Sequence, residues 1–327
     1  MNKTDKKRIV VIGGGTGTFV ALTGLKYYPL HLSAIITMMD SGGSTGRLRD
    51  QLGVLPPGDL RQALVALSRA DTIWRDLFVY RFENGDLNGH NFGNIFLSAL
   101  EKITGSMEEA IEWATTILNT QGDVFPVTYE NAELCVELTD GKKICGETNI
   151  DELQEGEIRK PIARAYLQPD VSANPAAIDA IKEADLIVIG PGDLYTSIVP
   201  NLLVRGIREA IASSSARKVY VMNLMTKNGQ TESYTARKHV QDLVRYTGDV
   251  LQTVLVNTQM PDQKALMWYR KAGEEMVQND LQKGPYDIVL DELVDTSMMH
   301  KTSSDVLRRS LIRHDPHKLA SALVKLL

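Results

Sequence analysis

Four glycines fall within five residues at Gly13-Gly14-Gly15-Thr16-Gly17, directly after the apolar run at residues 9–12. Glycine lets backbone amides approach an anion closely, and a helix beginning there adds its positive end. The chemistry this suits is phosphate binding. The dinucleotide fingerprint G-x-G-x-x-G is not completed, because its third glycine position holds Thr18, and no Walker lysine follows. A second glycine-rich turn, Asp40-Ser41-Gly42-Gly43-Ser44-Thr45-Gly46-Arg47, ends the next apolar run. An acidic residue about 20 residues past a first glycine turn is where a ribose-binding carboxylate sits in dinucleotide sites. The Ser, Thr and Arg around Asp40 could equally serve a phosphate or a metal-bound water.

A third turn, Gly190-Pro191-Gly192-Asp193-Leu194-Tyr195-Thr196-Ser197, follows the apolar run at 186–189, with Pro200-Asn201 as a helix start beyond it. Asn223-Leu224-Met225-Thr226 sets polar groups after another apolar run. Two shorter stretches, Gly58-Asp59-Leu60-Arg61 and Gly89-His90-Asn91-Phe92-Gly93-Asn94, precede helical patterns. Asp59 taken alone reads as an N-cap, and His90 is the one histidine in a glycine-rich loop. Arg313-His314-Asp315 lies in a charge-rich stretch that reads equally well as a solvated tail.

The elements that must position these turns follow from periodicity. The segments RIVVIGGG, LSAIITMMD, DLIVIGPG, ARKVYVMNLM and VLQTVLVNTQ read as strands, and those ending in glycine alternate with helical patterns, the grammar of a parallel sheet. Residues 201–214 read as one helix. Residues 58–118 are helical in pattern, with Ser106 and Glu109 spaced as a capping box. From 124 to 153 the pattern alternates around Asp140-Gly141, a hairpin signal. The expectation is an α/β fold: a single domain over 1–327, with a three-layer Rossmann-like, mostly parallel sheet. It carries a helical insertion at 58–120 and a small antiparallel β flap at 121–165.

Composition narrows the partners. A net charge of -5 over 327 residues argues against a nucleic-acid footprint. No apolar run reaches the roughly 20 residues of a membrane span, and no signal peptide stands at the start, so a cytoplasmic protein is expected. Cys135 and Cys145 could face each other across the hairpin, yet two cysteines in a chain of this length read as buried thiols of a reducing compartment.

Taken together, these segments resemble the CofD-like superfamily, most closely its YvcK branch of gluconeogenesis factors. The resemblance runs from residue 8 to about residue 320, on IGGGTGTFVALTGLK, DSGGSTGRLRDQLGVLPPGDLRQALVALS, GHNFGNIFLSAL, GPGDLYTSIVPNLL, VYVMNLMT and RHDPHKLA. It implies a nucleotide bound across the carboxyl edge of the sheet. The YvcK branch implies a UDP-sugar, with links to carbon metabolism, cell-wall synthesis and cell shape. The CofD branch implies transfer of a phospholactyl group to a deazaflavin alcohol; GDP and NAD are the alternative ligands.

Carried over, Gly13, Gly14, Gly15, Thr16, Gly17, Ser41, Gly42, Gly43, Ser44, Thr45 and Arg47 would surround phosphates. Asn94, Gly190, Gly192, Asp193, Tyr195, Thr196, Asn201, Asn223 and Thr226 would hold the rest of the nucleotide, and Arg313 would clamp a diphosphate. Asp40 would hold a magnesium ion, and in a transferase Asp40, Asp59 and His90 would be catalytic. A homo-oligomer is compatible with all of this. Two departures stand out: Ser41 replaces the second of two adjacent aspartates, and Asp193 stands where serine is usual.

Overall fold

The structure, a computed structural model, describes residues 6–154, 157–296 and 311–327. The chain enters through β1 (Arg8–Gly13), whose apolar residues are buried because the sheet is covered on both faces. The first crossover follows through α1 (Gly15–Leu25) to β2 (His31–Ile36). Helices α2 (Gly43–Leu52), α3 (Gly58–Leu67), α4 (Thr72–Val79), α5 (Phe92–Thr104) and α6 (Met107–Leu118) fill the helical region. Ser106 caps α6 by accepting from the Glu109 amide at 3.1 Å. The cap of α3 is Pro57, so Asp59 lies inside its first turn rather than at the cap.

Next comes β3 (Asp123–Pro126), paired parallel to β2 at the sheet edge rather than belonging to the flap. The flap is a three-stranded antiparallel sheet of β4 (Glu133–Leu138), β5 (Lys143–Cys145) and β6 (Ile162–Gln168), with the short helix α7 (Glu147–Asp151) inside it. Its third strand was hidden by a weak alternation. Cys135 and Cys145 are register partners and form a disulfide. This corrects the thiol reading: the turn at Asp140-Gly141 places the two residues directly opposite each other.

The main sheet resumes after α8 (Pro175–Glu183) with β7 (Leu186–Ile189). One wide π-helical turn, Leu194–Ile198, leads into α9 (Val199–Leu203), which is separate from α10 (Ile207–Ser213). The single helix expected over 201–214 is broken at Gly206, whose φ of 101° no helix accommodates. Then follow β8 (Arg217–Val221), α11 (Ala236–Thr247), β9 (Thr253–Asn257), α12 (Gln263–Lys271), β10 (Asp287–Asp291) and α13 (Pro316–Val324).

The sheet has seven strands in the order β10-β9-β8-β7-β1-β2-β3, with every pair parallel. Helix α1 packs against α3 and α13, and α10 against α8 and α11. From β1 the chain builds toward β2 and β3; from β7 it builds the other way. The switch point therefore lies between β1 and β7, and in open α/β sheets ligands bind in the crevice outside the strand ends there.

Candidate functional site

A cleft of about 370 Å³ opens at that switch point. Its floor is Gly14–Gly17 after β1 and Pro191–Asp193 after β7 (residues 14–17 and 191–193), and its walls take residues 223–227 after β8 and Asp40 after β2. Two close approaches explain glycine here. A Cβ on Gly17 would collide with the Pro191 carbonyl, and one on Gly14 with the Asp59 carboxylate. The first and third turns thus touch backbone to backbone, and Asn201 pins them by donating from Nδ2 to the Gly13 carbonyl at 3.1 Å and the Ser197 carbonyl at 2.9 Å.

Carboxylates gather in the cleft. Asp40 accepts from the Gly42 amide at 2.9 Å, yet burial pushes its pKa upward. Burial and then the charge of Asp40 raise Asp59 to about 7, against bonding from the Gly15 amide and attraction to Arg61. Glu147, on the flap helix α7, rises to about 8 through burial and the charges of Asp40, Asp151 and Asp59. Beneath them the Arg61 guanidinium donates to Asn94 Oδ1 at 2.8 Å and the Phe78 carbonyl at 3.2 Å. Burial and Arg81 lower its pKa to about 10, and it still carries its charge at neutral pH.

On the opposite wall Lys227 Nζ stands 3.0 Å from Asp151 Oδ1 and 3.7 Å from Asp193 Oδ2. Burial disfavours this ammonium, but Asp193 and Asp151 overcome it and hold its pKa above the ordinary lysine value. The carboxylate at position 193 therefore faces a cation across the cleft.

Of the residues singled out from sequence, Gly14, Gly15, Thr16, Gly17, Asp40, Asp59, Gly192, Asp193, Thr196, Asn223, Thr226 and Arg313 line this one cleft. Asn223 is also a brace, donating to the Gly192 carbonyl at 2.6 Å and accepting from the Tyr220 hydroxyl at 3.0 Å. Gly13, Gly190 and Asn201 lie behind the wall and shape it.

The second turn departs from the expected phosphate cradle. The Gly42 amide is engaged by Asp40, Gly43 faces solvent, and Ser41 bonds Thr148 of the flap through its hydroxyl. Ser44 and Thr45 are buried, Ser44 Oγ 3.2 Å from His90 Nδ1 and Thr45 Oγ1 accepting from Asn94 Nδ2 at 3.3 Å. His90 and Asn94 therefore fasten α2 from below and do not reach the cleft. Arg47 turns outward to the Asn88 carbonyl at 3.0 Å. Tyr195 is fully buried, because the wide turn at 194–198 swings its ring inward and its hydroxyl donates to Asp242 at 2.7 Å.

Sequence reasoning missed Gln62, Glu147, Asp151, Ser197, Lys227, Tyr269, Glu274 and His314, which also line the cleft. Ser197 and His314 stand within motifs singled out from the sequence but carried no role of their own there. Glu147 and Asp151 come from the flap, and Tyr269 and Glu274 from the far end of α12 and its loop; no local pattern marks them.

Comparison with known proteins places the chain. The family model described as 2-phospho-L-lactate transferase CofD matches residues 9–294. A chain from Aquifex aeolicus is 43% identical over 331 residues, covering 98% of this chain and 97% of its own. The gluconeogenesis factor of Bacillus subtilis is 40% identical over 329 residues, covering 99% of each. A crystal structure from Bacillus halodurans, described as a member of the UPF0052 family, superposes with a TM-score of 0.89 at 39% identity, covering 98% of this chain and 99% of its own. No helix among the described residues is long and apolar enough to cross a membrane. The chain belongs to the CofD-like superfamily, on the branch of the YvcK-type gluconeogenesis factors.

Proposed function

We propose that this chain is a regulatory protein that binds a nucleotide sugar, a UDP-sugar, and acts in carbon metabolism, cell-wall synthesis and cell shape. The observation that carries the reading is the convergence of the ends of β1, β2, β7 and β8 on one cleft at the switch point. The diphosphate lies over Gly14–Gly17 at the start of α1 (residues 14–17), where backbone amides and the helix end favour negative charge. Arg313 and Lys227 supply the positive side chains.

An acidic cleft takes a diphosphate only with a counter-cation, and the donor set suits magnesium. One buried guanidinium, Arg61, attracts Asp40 and Asp59, Glu147 adds a third carboxyl, and the pKa values of all three are raised, a crowding of carboxyls that a divalent ion would relieve. Among the described residues the only three metal-type ligand atoms within 4.8 Å of one another belong to Glu133, Cys135 and Cys145, and those sulfurs are joined. The cleft carboxylates are thus no closed cage, and magnesium needs none: it takes one or two carboxylates, with water and substrate phosphates completing its shell. Asp40 and Asp59 are the residues that would hold it, and bound there it would neutralise charge on the phosphates.

Calorimetry with UDP-N-acetylglucosamine, UDP-glucose, GDP and NAD, with and without magnesium, tests the reading. Binding of the UDP-sugars that strengthens with magnesium is expected; silence with both at millimolar ligand would end it. One observation favours a second reading, transfer of a phosphorus-containing group to an alcohol. Asp59, titrating at about 7, suits proton transfer from an acceptor hydroxyl. Incubation of nucleotide-activated phospholactate with a deazaflavin alcohol and magnesium decides it by whether coupled product forms.

A further inference from the structure

The flap reaches the cleft through a short piece of chain. Strand β5 is three residues long and lies at the edge of the flap sheet, with β4 as its one neighbour among the described residues. Its last residue, Cys145, is joined to Cys135 of β4 by the disulfide. The Gly146 amide donates to the Leu134 carbonyl at 2.9 Å, and α7 begins directly after it. The Cys145 carbonyl accepts from Asn149 Nδ2, inside α7, at 2.8 Å. One residue therefore separates the covalent bond from the first turn of α7, and a side chain ties the two together.

The two ends of α7 are held differently. The far end is fixed independently of the disulfide: Arg159 donates to the Ile150 carbonyl and, at 3.2 Å, to the Glu152 carbonyl. Asp151 meets Lys227 Nζ at 3.0 Å and Gln230 Nε2 at 3.1 Å. The near end bears on the second glycine turn. The Thr148 amide donates to Ser41 Oγ at 3.0 Å, and the two hydroxyls lie 3.2 Å apart. A Cβ on Gly42 would stand 3.4 Å from Thr148 Oγ1 and 3.9 Å from Glu147 Oε2. Asp40, the carboxylate of that turn, lines the cleft with Glu147.

We infer that the Cys135–Cys145 bond is a redox-sensitive fastening of the flap: a dithiol that reduces it loosens the first turn of α7 and weakens ligand binding in the cleft. The weakening rests on the nucleotide reading above; the loosening does not. Cys135 is fully buried, whereas Cys145 is half-buried on the edge strand, so a thiolate of the dithiol attacks Cys145 Sγ. The S–S bond breaks, and Cys135 leaves as a thiolate and takes up a proton. The second thiol of the reductant then displaces Cys145, which leaves as a thiol. Two electrons and two protons have passed to the protein, and the reductant has become a disulfide. An edge strand of three residues is then left to its backbone hydrogen bonds, and such short edges open locally. Thr148 loses its fixed place against Ser41, and the turn that carries Asp40 loses the preorganisation that tight binding draws on.

The test uses the full chain, oxidised with glutathione disulfide or reduced with dithiothreitol. Alkylation and mass measurement count the thiols: none is expected after oxidation, and both cysteines after reduction. In ligand-free protein, reduction should quicken hydrogen exchange at 146–149 about tenfold, while β6 and β8 stay unchanged. Calorimetry with UDP-N-acetylglucosamine and magnesium should show the reduced form binding about fivefold more weakly, and saturating ligand should make the bond harder to reduce by the same factor. A Cys135→Ala, Cys145→Ala chain should match the reduced form with or without dithiothreitol, which separates the bond from any other action of the reductant. Two free thiols after oxidation, equal exchange at 146–149 in both forms, or equal affinity in both forms overturns the inference and leaves the nucleotide reading standing. Silence of the oxidised wild type toward every nucleotide ends the nucleotide reading, while the exchange comparison, which needs no ligand, still decides the fastening.

Discussion

A buried carboxylate and a half-buried group of three lie in the same frame and titrate in opposite directions. Asp242, on α11, is 1% exposed, and burial alone would raise its pKa. Lys238 Nζ at 2.8 Å and the hydroxyls of Tyr234 and Tyr195, each at 2.7 Å, reverse that and hold it below the ordinary value. Asp40, Asp59 and Glu147 share their space with one another and lack enough donors, so their pKa values rise. A buried charge that the fold itself satisfies is part of the scaffold. A group of charges that the fold leaves in excess marks a place where something else completes the balance.

That contrast can be broken most directly at Asp242. Asp242→Ala leaves two phenols and an ammonium without their acceptor, and should cost about 3–5 kcal/mol in urea unfolding, the scale for breaking a buried pair. A loss near zero would mean that the cluster is no scaffold. On the other side, magnesium at about 100 times its dissociation constant should add about 2.7 kcal/mol of stability. A paired Asp40→Asn, Asp59→Asn chain should lose that gain, measured as the magnesium-dependent shift in melting temperature.

The pH dependence sharpens the comparison further. Asp59 has a folded pKa near 7 against an ordinary 3.8, so the stability from its neutral form is complete below about pH 4 and disappears as pH rises through 7. Asp242 behaves oppositely: its contribution is complete above the ordinary aspartate range and is lost as acid protonates it below that range. Asp59→Asn should therefore be more stable than wild type at pH 8, by roughly 1–2 kcal/mol, with the gap closing by pH 4; urea titrations at the two pH values read this out. The smallest effect is expected at the flap. Ser41→Ala removes the hydroxyl that accepts from the Thr148 amide at 3.0 Å, and should cost about 1 kcal/mol. Hydrogen exchange at 147–151 should quicken before global stability changes.

Much of this fold was legible because buried parallel strands advertise themselves. Residues 9–12 and 186–189 are uninterrupted apolar runs ending in glycine, and such runs mark both the sheet and its carboxyl edge. The same logic located Gly14–Gly17, Asp40 and Asp193 (the first as residues 14–17). It failed where a neighbour in sequence is no neighbour in space. Tyr195 stands in the third glycine turn, yet the wide helical turn rotates it into the core. Lys227 follows Thr226 by one residue, but its importance comes from Asp151 on the flap, 76 positions away in the numbering. Glu147 reaches the cleft only because the flap folds over it. The disulfide had a readable signal, the symmetry of Cys135 and Cys145 about Asp140, that composition outweighed.

The carboxamide of Asn201 has a consequence for the rigidity of the cleft floor. With one nitrogen it grips carbonyls from two strand-end turns at once, at 3.1 and 2.9 Å. Those turns cannot part or approach without tearing that nitrogen from one of its acceptors. The floor of the cleft is thus held in register by a single side chain far from solvent.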